Sequence, residues 1–556
     1  MTGDRLIYLP LGGAGEVGMN LYVYGYGKPG KERLIVVDLG VTFPDMDGSP
    51  GVDLIMADIA WLIERRNRIE AIFITHAHED HVGALPFLLP GLRAPVHARK
   101  FTGHVAAQKL HEAGLSTSDL NIVGAWPETV GAGPFTVGFL PISHSIPESA
   151  GLVIDTPAGR VIHTADFKLD PTPGVGEAFD AALWAGVAGE GVQALVCDST
   201  NVFVGTPGRS EADIAGNLET LIAGAEGMLA ATTFASNVAR LKTLAEAGAR
   251  AGRRIVLLGR AMRRMVEAAT ETGVLTGFPQ LMQPEEAVDL PRHRVMLLTT
   301  GSQGERRAAS AALSRGRYLG FELKEGDTFL FSSKTIPGNE RGVLRIMNSF
   351  SERGVEVVDD HSGAYHVSGH ANRPDLQRMH ALMKPKMLVP MHGEHRMLRE
   401  HVRLGEEAGI PGVIAPNGAM VDLTGEAPKI VEWIEAGRTY LDGTVLIGAM
   451  DGVVRDRMRM ALNGHVVVTV IIDEDDEVLG DAWCDTMGLA ETGRSNAPLL
   501  DVLEADLTQF LRRADAKTLR DDDRLEDNLK RIARQTTENE IGHKPEVSVV
   551  ISRLSE

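Results

Sequence analysis

The chain has 556 residues, 44% of them hydrophobic and 24% charged, with a net charge of −19 and two cysteines, Cys197 and Cys484. This length exceeds one core and implies about two to four domains, while the composition is that of a globular protein with no run near the roughly 18 unbroken apolar residues of a membrane span. The cysteine count excludes a disulfide framework or a cysteine-rich zinc site and suits the cytosol, and the acidic balance argues mildly against a nucleic-acid partner.

The start, MTGDRLIYLPLGGAGEVG, lacks the charged region, apolar run and small-residue cleavage site of a secretory signal, so a cytoplasmic location and no membrane partner are expected. RLIYLPL, NLYVYGYG and RLIVVDLG read as consecutive strands joined by Gly, Lys and Pro turns. Between the first two, GAGEVG (Gly13, Gly15, Gly18) matches the glycine spacing of a dinucleotide fingerprint, and Asp38 lies about twenty residues on. Context excludes that reading. The fingerprint must open a helix, whereas MNLYVYGYGKPG alternates like a strand, so the glycines make a turn.

The apolar run EAIFI is followed by THAHEDHVGAL, an H-x-H-x-D-H pattern of His76, His78, Asp80 and His81. On extended chain His76 and His78 point the same way, and Asp80 and His81 then fall at the start of a helix near Val82. Burying so many titratable groups at a strand end is costly unless something compensates their polarity. Imidazoles and carboxylates converging on one point suit a borderline cation such as Zn²⁺. Further ligands must come from elsewhere, and three strand ends offer them: His144 in PISHSIPES, Asp166 in HTADF and His392 in VPMHGEH. His104, His111 and His401 lie in helical text and are assigned to the surface or to packing.

From about Thr206 the texture changes. RSEADIAGNLETLIAGAEG opens with a capping signal, Ser210 and Asp213, and strand–helix units follow, which suggests a parallel α/β domain. The stretch Arg240–Thr270 carries eight basic residues against two glutamates, whereas Asp473–Glu477 is wholly acidic. The basic stretch reads either as a local potential that steers an anionic ligand or as a solvated helix face. KMLVPMHGEHRMLREHV returns to the strand-plus-histidine style of the start, so the middle segment is read as an insertion. EAGRTYLDGTVLIGAMDGVVRDRMR reads as a linker, and HVVVTVIID and EVSVVIS, around two amphipathic helices, as a small α+β domain.

The histidine and aspartate constellation resembles the metallo-β-lactamase fold superfamily. LGGAGEVGMN, TFASN, TGSQGE, IPGNE and HVSGHA together resemble the ribonuclease J family, its β-CASP nuclease branch. The resemblance implies an α/β fold: an αββα sandwich in two halves, residues 1–205 and 371–445, and an inserted α/β β-CASP domain at 206–370. A linker at 446–463 and a C-terminal α+β domain at 464–556 complete the expected partition. It further implies one metal held by His76, His78 and His144, a second held by Asp80, His81 and His392, with Asp166 bridging, and Asp38 orienting ligands from behind. Two Zn²⁺ per subunit are expected, with Mn²⁺ possible for such N/O donors. Cations about 3.5–4 Å apart can clamp the attacking and leaving oxygens of a phosphodiester.

By the same resemblance Asp198, in VCDSTN, and His370, in HVSGHANRP, handle proton transfer, with the division of roles open. Ser368 and Gly369 precede a helix that Asn372 could cap, with Pro374 in its first turn, and amides there bind phosphate readily. His366, Val367, Ser368, Gly369 and His370, with Ser236 and Asn237 of TFASN, are the candidate substrate contacts, although Asn237 could equally be a plain helix cap. The loop Thr300–Glu305 also suits an anion. The implied activity is a ribonuclease with 5′→3′ exonuclease and endonuclease action in mRNA decay and rRNA maturation. It would favour 5′-monophosphorylated single-stranded RNA and act as a homodimer or homotetramer. The rivals are a DNA-processing nuclease of the same branch, a thioester or lactam hydrolase, and a non-catalytic RNA-binding scaffold.

Overall fold

The computed structural model describes residues 3–44 and 48–554. They form two compact units, one of residues 3–42 with 56–438, the other of residues 43–44 and 48–55 with 439–554.

In the first unit, the three expected strands, Arg5–Gly12, Leu21–Gly27 and Arg33–Val37, pair antiparallel as a meander, extended in parallel by Ile69–Ile74 and Val96–Ala98. A second sheet runs through Phe135–Pro141, Ala150–Thr156, Gly159–His163, Ala194–Asp198 and Met387–Met391 in that order. Strand alternation turns one face of each sheet inward. Tyr8, Tyr24, Ile35, Val37 and Phe73 of the first sheet meet Phe139, Leu152, Ile154, Val196 and Val389 of the second in one buried cluster. Helices Ala181–Ala188, Arg373–Met383 and His395–Glu407 cover the far side of the second sheet through Trp184, Met379 and Leu404. Helix Lys100–Glu112 packs on the edge of the first. This is the αββα sandwich.

Strand Ala194–Asp198 lies parallel to Met387–Met391, with Asp198 opposite Met391. The chain thus leaves the sandwich at Asp198 and returns on the neighbouring strand. Between these points it builds a wholly parallel five-stranded sheet, ordered Arg254–Leu258, Val295–Thr299, Leu229–Thr232, Thr328–Phe331, Glu356–Val358. Helices cover both faces, with Leu241, Leu244 and Met262 on one and Leu313, Ile346 and Phe350 on the other. The strand first in chain order, Leu229–Thr232, sits at the centre. The order therefore reverses at its carboxyl end, where ligands of such sheets gather. Ser210 and Asp213 form the expected capping box. The basic stretch resolves partly into architecture: Arg240 is fully buried on the Glu211 carboxylate at 3.0 Å, and Arg253 is buried against the carbonyls of Gly227 and Val295.

In the second unit the expected linker is folded. Strands Arg438–Asp442 and Val445–Gly448 pair as a hairpin, and Val453–Asn463 is a helix. The two-residue connection Gly443–Thr444 explains it: Gly443 has φ 63, which a glycine at the first central position adopts without strain and which matches the strand twist. Strand His465–Ile472 pairs in parallel with Glu546–Arg553 and antiparallel with Trp483–Met487. Parallel neighbours need a long crossover, and helices Leu499–Leu511 and Asp522–Ile541 supply it, burying Leu503, Leu507, Leu525 and Leu529 against Val466, Val468 and Val470. Among the described residues no helix is long and apolar enough to cross a membrane.

Candidate metal centre

The loop after strand Ile69–Ile74 carries His76 and His78, and a short helix, Glu79–Val82, carries Asp80 and His81. Ser143 and His144 follow strand Phe135–Pro141, Asp166 follows Gly159–His163, and His392 follows Met387–Met391. All seven sequence candidates for metal binding converge. His76, His78, His144 and Asp166 form one group and Asp80, His81, Asp166 and His392 another, each with donor atoms within 4.8 Å of one another. Asp166 Oδ2 belongs to both, 3.2 Å from His81 Nε2, 3.5 Å from His392 Nε2, 3.8 Å from His144 Nε2 and 4.0 Å from His76 Nε2. Asp80 Oδ2 lies 3.2 Å from His392 Nε2 and 3.6 Å from His81 Nε2.

The hydrogen bonds behind the rings decide which nitrogens face inward with a lone pair. The Gly369 carbonyl can only accept, so His144 Nδ1, at 2.6 Å, carries the proton and Nε2 is free. The Asp38 carboxylate does the same for His81, accepting from Nδ1 at 2.7 Å. Thr75 Oγ1 gives its proton to Asp38 Oδ2 (2.8 Å) and so accepts from His76 Nδ1 at 3.1 Å. Thr200 Oγ1 gives its proton to Asp198 Oδ1 (2.7 Å) and accepts from His392 Nδ1 at 2.8 Å. Ser236 Oγ lies 3.0 Å from His78 Nε2 and accepts its proton in the tautomer that turns the Nδ1 lone pair inward.

With these tautomers the lone pair of His78 Nδ1 faces those of His76 Nε2 and His144 Nε2 at 3.1 Å each. Such an arrangement is repulsive alone and attractive around a cation. Donors about 2.1 Å from a tetrahedral ion stand about 3.4 Å apart, close to these spacings. Asp166 Oδ1, buried without a hydrogen-bond partner, is one more atom the protein leaves for an ion. Burial holds His76 and His144 well below the ordinary imidazole pKa and His78 down at about 4, which keeps all three neutral and able to ligate. At His81 burial works the same way but is outweighed by Asp166, Asp80 and Asp38, which raise it to about 10, and His392 is lifted against burial chiefly by Asp166. The second group therefore sits in a strongly negative potential that favours positive charge. The residues fit a pair of divalent cations.

Beside this centre, His370 Nδ1 lies 2.7 Å from Asp198 Oδ2, and its ring centroid is 5.0 Å from that of His144 and 5.4 Å from that of His392. Burial opposes both charges, yet each stabilises the other: Asp198 is held below the usual carboxylate range by His370, and His370 is raised by Asp198. Ser368 Oγ accepts from Asn201 Nδ2 at 2.8 Å and from the His370 N–H at 3.1 Å, which leaves its own proton free. The helix Arg373–Met383 that follows begins at Asn372, whose N–H donates to Asp375 at 3.1 Å, with Pro374 in the first turn. The Val367 side chain is buried in the core cluster of the insertion, so it offers no side chain to a substrate. His366 is held down at about 3 by burial, then by Arg240, Lys168, Lys334 and Arg209, of which Arg240 and Lys168 are themselves buried on the Glu211 and Asp170 carboxylates. Asn237 caps helix Val238–Arg250, accepting from the Arg240 N–H at 2.9 Å. In the loop Thr300–Glu305, Glu305 itself takes the Gln303 N–H at 2.9 Å.

Sequence reasoning missed Asn20, Thr75 and Thr200. Asn20 Nδ2 donates to the Asp80 carbonyl at 3.0 Å and lies 2.9 Å from His81 Nε2. Thr75 and Thr200 each sit within two residues of a group already singled out, a proximity that could have found them. The turn GAGEVG also helps to build the centre, since the Gly13 carbonyl accepts the His392 N–H at 2.7 Å and Ala14–Gly15 pairs with Gly393–Glu394. His104 is part-exposed and His111 exposed, as expected, while His401 is a packing residue, buried and stacked on His380.

The chain matches family models along most of its length. These are the metallo-β-lactamase superfamily over residues 15–205, the ribonuclease J β-CASP domain over 226–350, the Zn-dependent metallo-hydrolase RNA specificity domain over 363–416 and the ribonuclease J C-terminal domain over 452–554. It is 41% identical to a ribonuclease J of Sinorhizobium meliloti, over 99% of this chain and 98% of that one. It is 36% identical to one of Thermus thermophilus over 85% and 83%, and 33% identical to one of Mycobacterium tuberculosis over 92% and 91%. A crystal structure of a protein of unknown function from Enterococcus faecalis shares the fold, at TM-score 0.51 and 16% identity, covering 75% of this chain and all of that one.

Proposed function

The chain belongs to the ribonuclease J family, and from that premise we propose that this metal-binding hydrolase of RNA cleaves phosphodiesters with two zinc ions at the centre described above. The observation that carries the reading is the pair of donor groups sharing Asp166 Oδ2, with the Asp198–His370 pair alongside. His76, His78 and His144 would hold one cation and Asp80, His81 and His392 the other, with Asp166 between. Bound there, the cations supply Lewis-acid polarisation of the phosphate and acidify water.

The chain's own groups do the rest. His370, its Nδ1 proton held by the Asp198 carboxylate, keeps Nε2 to deliver a proton to the leaving oxygen, and Asp198 fixes the ring and sustains its charge. The free hydroxyl proton of Ser368, the amide of Gly369 and the exposed Lys334 near His366 suit the terminal 5′-monophosphate. Asn237, engaged as a cap, serves by holding Ser236 in place. Entry of an RNA end gives 5′→3′ exonuclease action, and entry of an internal stretch gives endonuclease action, with a dimer or tetramer as the working state.

The test is cleavage of end-labelled 5′-monophosphorylated RNA by the metal-loaded protein, beside matched DNA and a thioester. RNA loses nucleotides stepwise from its 5′ end, faster with a monophosphate than with a triphosphate. Hydrolysis of the thioester alone would end the reading.

A further inference from the structure

The two donor groups are oriented from different stretches of chain. Behind the second group stand Asp38, on the end of strand Arg33–Val37, the Gly13 carbonyl on His392, and Thr200, two residues past the sandwich strand Ala194–Asp198. Behind the first group, His76 alone is held from the sandwich, by Thr75. His78 is held at Nε2 by Ser236, four residues past the central strand of the inserted parallel sheet, and His144 at Nδ1 by the carbonyl of Gly369, on the segment returning from it.

Both contacts are built closely. His78 is 3.0 Å from Ser236 Oγ, and a Cβ at Gly369 would stand 2.8 Å from His144 Cε1 and 2.7 Å from Ser145 Oγ. Glycine at 369 therefore lets the main chain come near enough for its carbonyl to fix the imidazole. Groups behind a ligating histidine set its tautomer and basicity, and losing one typically weakens metal binding about 10–100-fold.

We propose that the inserted parallel-sheet segment, through Ser236 and the Gly369 carbonyl, positions the ligands His78 and His144, so that the cation on His76, His78 and His144 is coupled to the seating of the insertion while the cation on Asp80, His81 and His392 is not. This rests on the reading that both groups bind cations. Ser236 acts here as a positioning residue. Its own hydroxyl proton remains available to substrate, so cleavage rates alone do not isolate the role. By linkage, the coupling is reciprocal: the first cation tightens the contact that orients its ligands.

The test uses the full chain stripped of metal and titrated with Zn²⁺ or Co²⁺ alone, without RNA, by calorimetry and by the visible spectrum of bound Co²⁺. S236A loses affinity for one of two cations about 10–100-fold, the other binding as in the wild type, and S236T restores it. T200V, which strips the partner from His392 Nδ1, weakens the other cation instead. Zn²⁺ also slows backbone hydrogen exchange in residues 232–240 and 366–372 of the wild type, and less so in S236A. S236A binding both cations as the wild type does, or weakening both alike, would overturn the proposal. A wild type that takes up fewer than two cations would bring down the reading of the donor groups, and the proposal with it.

Discussion

The two donor groups share an aspartate and are made of the same residue types, yet they are finished differently. The Asp80, His81 and His392 group is complete once the sandwich has folded: its tautomers are set by Asp38 and Thr200, and its loop is docked by Gly13. The His76, His78 and His144 group has its inward nitrogens in place but takes two of its three outer partners from the inserted segment. Their electrostatics divide the same way. Burial leaves the first group neutral, whereas carboxylates hold the second in a negative potential. A centre of this kind can hold one cation by charge and place the other by geometry.

The most severe way to break that comparison is to destroy the group the sandwich finishes. Asp80→Ala with His81→Ala removes two donors and leaves Asp38 buried without its imidazole. Cleavage of labelled RNA falls to background while salt-sensitive RNA binding, measured by anisotropy, persists. Unchanged turnover would refute the assignment of both residues. Next in size, His370→Ala leaves both groups intact but removes the proton donor. Turnover falls about 10²–10⁴-fold, and metal content by elemental analysis stays at the wild-type level. A loss of metal on His370→Ala would mean that this ring serves the centre as a ligand, as its place in a third cluster with Asp166, Asp198 and His392 would allow.

A smaller effect sharpens the contrast. Asp38 accepts from His81 directly and reaches His76 through Thr75, so it stands behind one ring of each group. Asp38→Asn keeps the shape but offers the wrong hydrogen-bonding partner, and both cations weaken, by about 10–100-fold at most. Titration with Zn²⁺ then separates a residue that serves both groups from Ser236, which serves one.

What was legible in the sequence follows the same division. His76, His78, Asp80 and His81 are neighbours in the chain, and His144, Asp166 and His392 each follow an apolar run, so local pattern reveals them. The first strands and the parallel insertion were equally readable, because period-two strands and strand–helix alternation are local signals, whereas the stacking of two sheets into a sandwich followed only from the family resemblance. The partners behind the rings were not. His78 meets Ser236 across 158 residues and His144 meets Gly369 across 225, and neither spacing carries a periodicity. The hairpin Arg438–Gly448 reads as linker although the glycine after Asp442 is visible, because its strands are short and mostly part-exposed and lack a strong apolar alternation.

The smallest expected effect concerns the glycine turn that mimics a dinucleotide fingerprint. Gly13 has φ 80, and a Cβ there would lie 2.1 Å from Asn20 Oδ1 and 2.4 Å from Tyr22 Oη. Gly114 has φ 69 with nothing within 4 Å of its Cβ position. Alanine at either site meets the left-handed backbone cost, about 1–3 kcal/mol, so Gly114→Ala measures that cost alone. Gly13→Ala adds displacement of Asn20, which lies against Asp80 and His81, and of the carbonyl that docks His392. It therefore lowers the melting temperature further than Gly114→Ala and weakens the carboxylate-rich cation site, while leaving the Ser236-dependent one near its wild-type affinity. Equal melting temperatures and equal Zn²⁺ titrations for the two variants would mean that the turn is mere connection and that His392 finds its place without it.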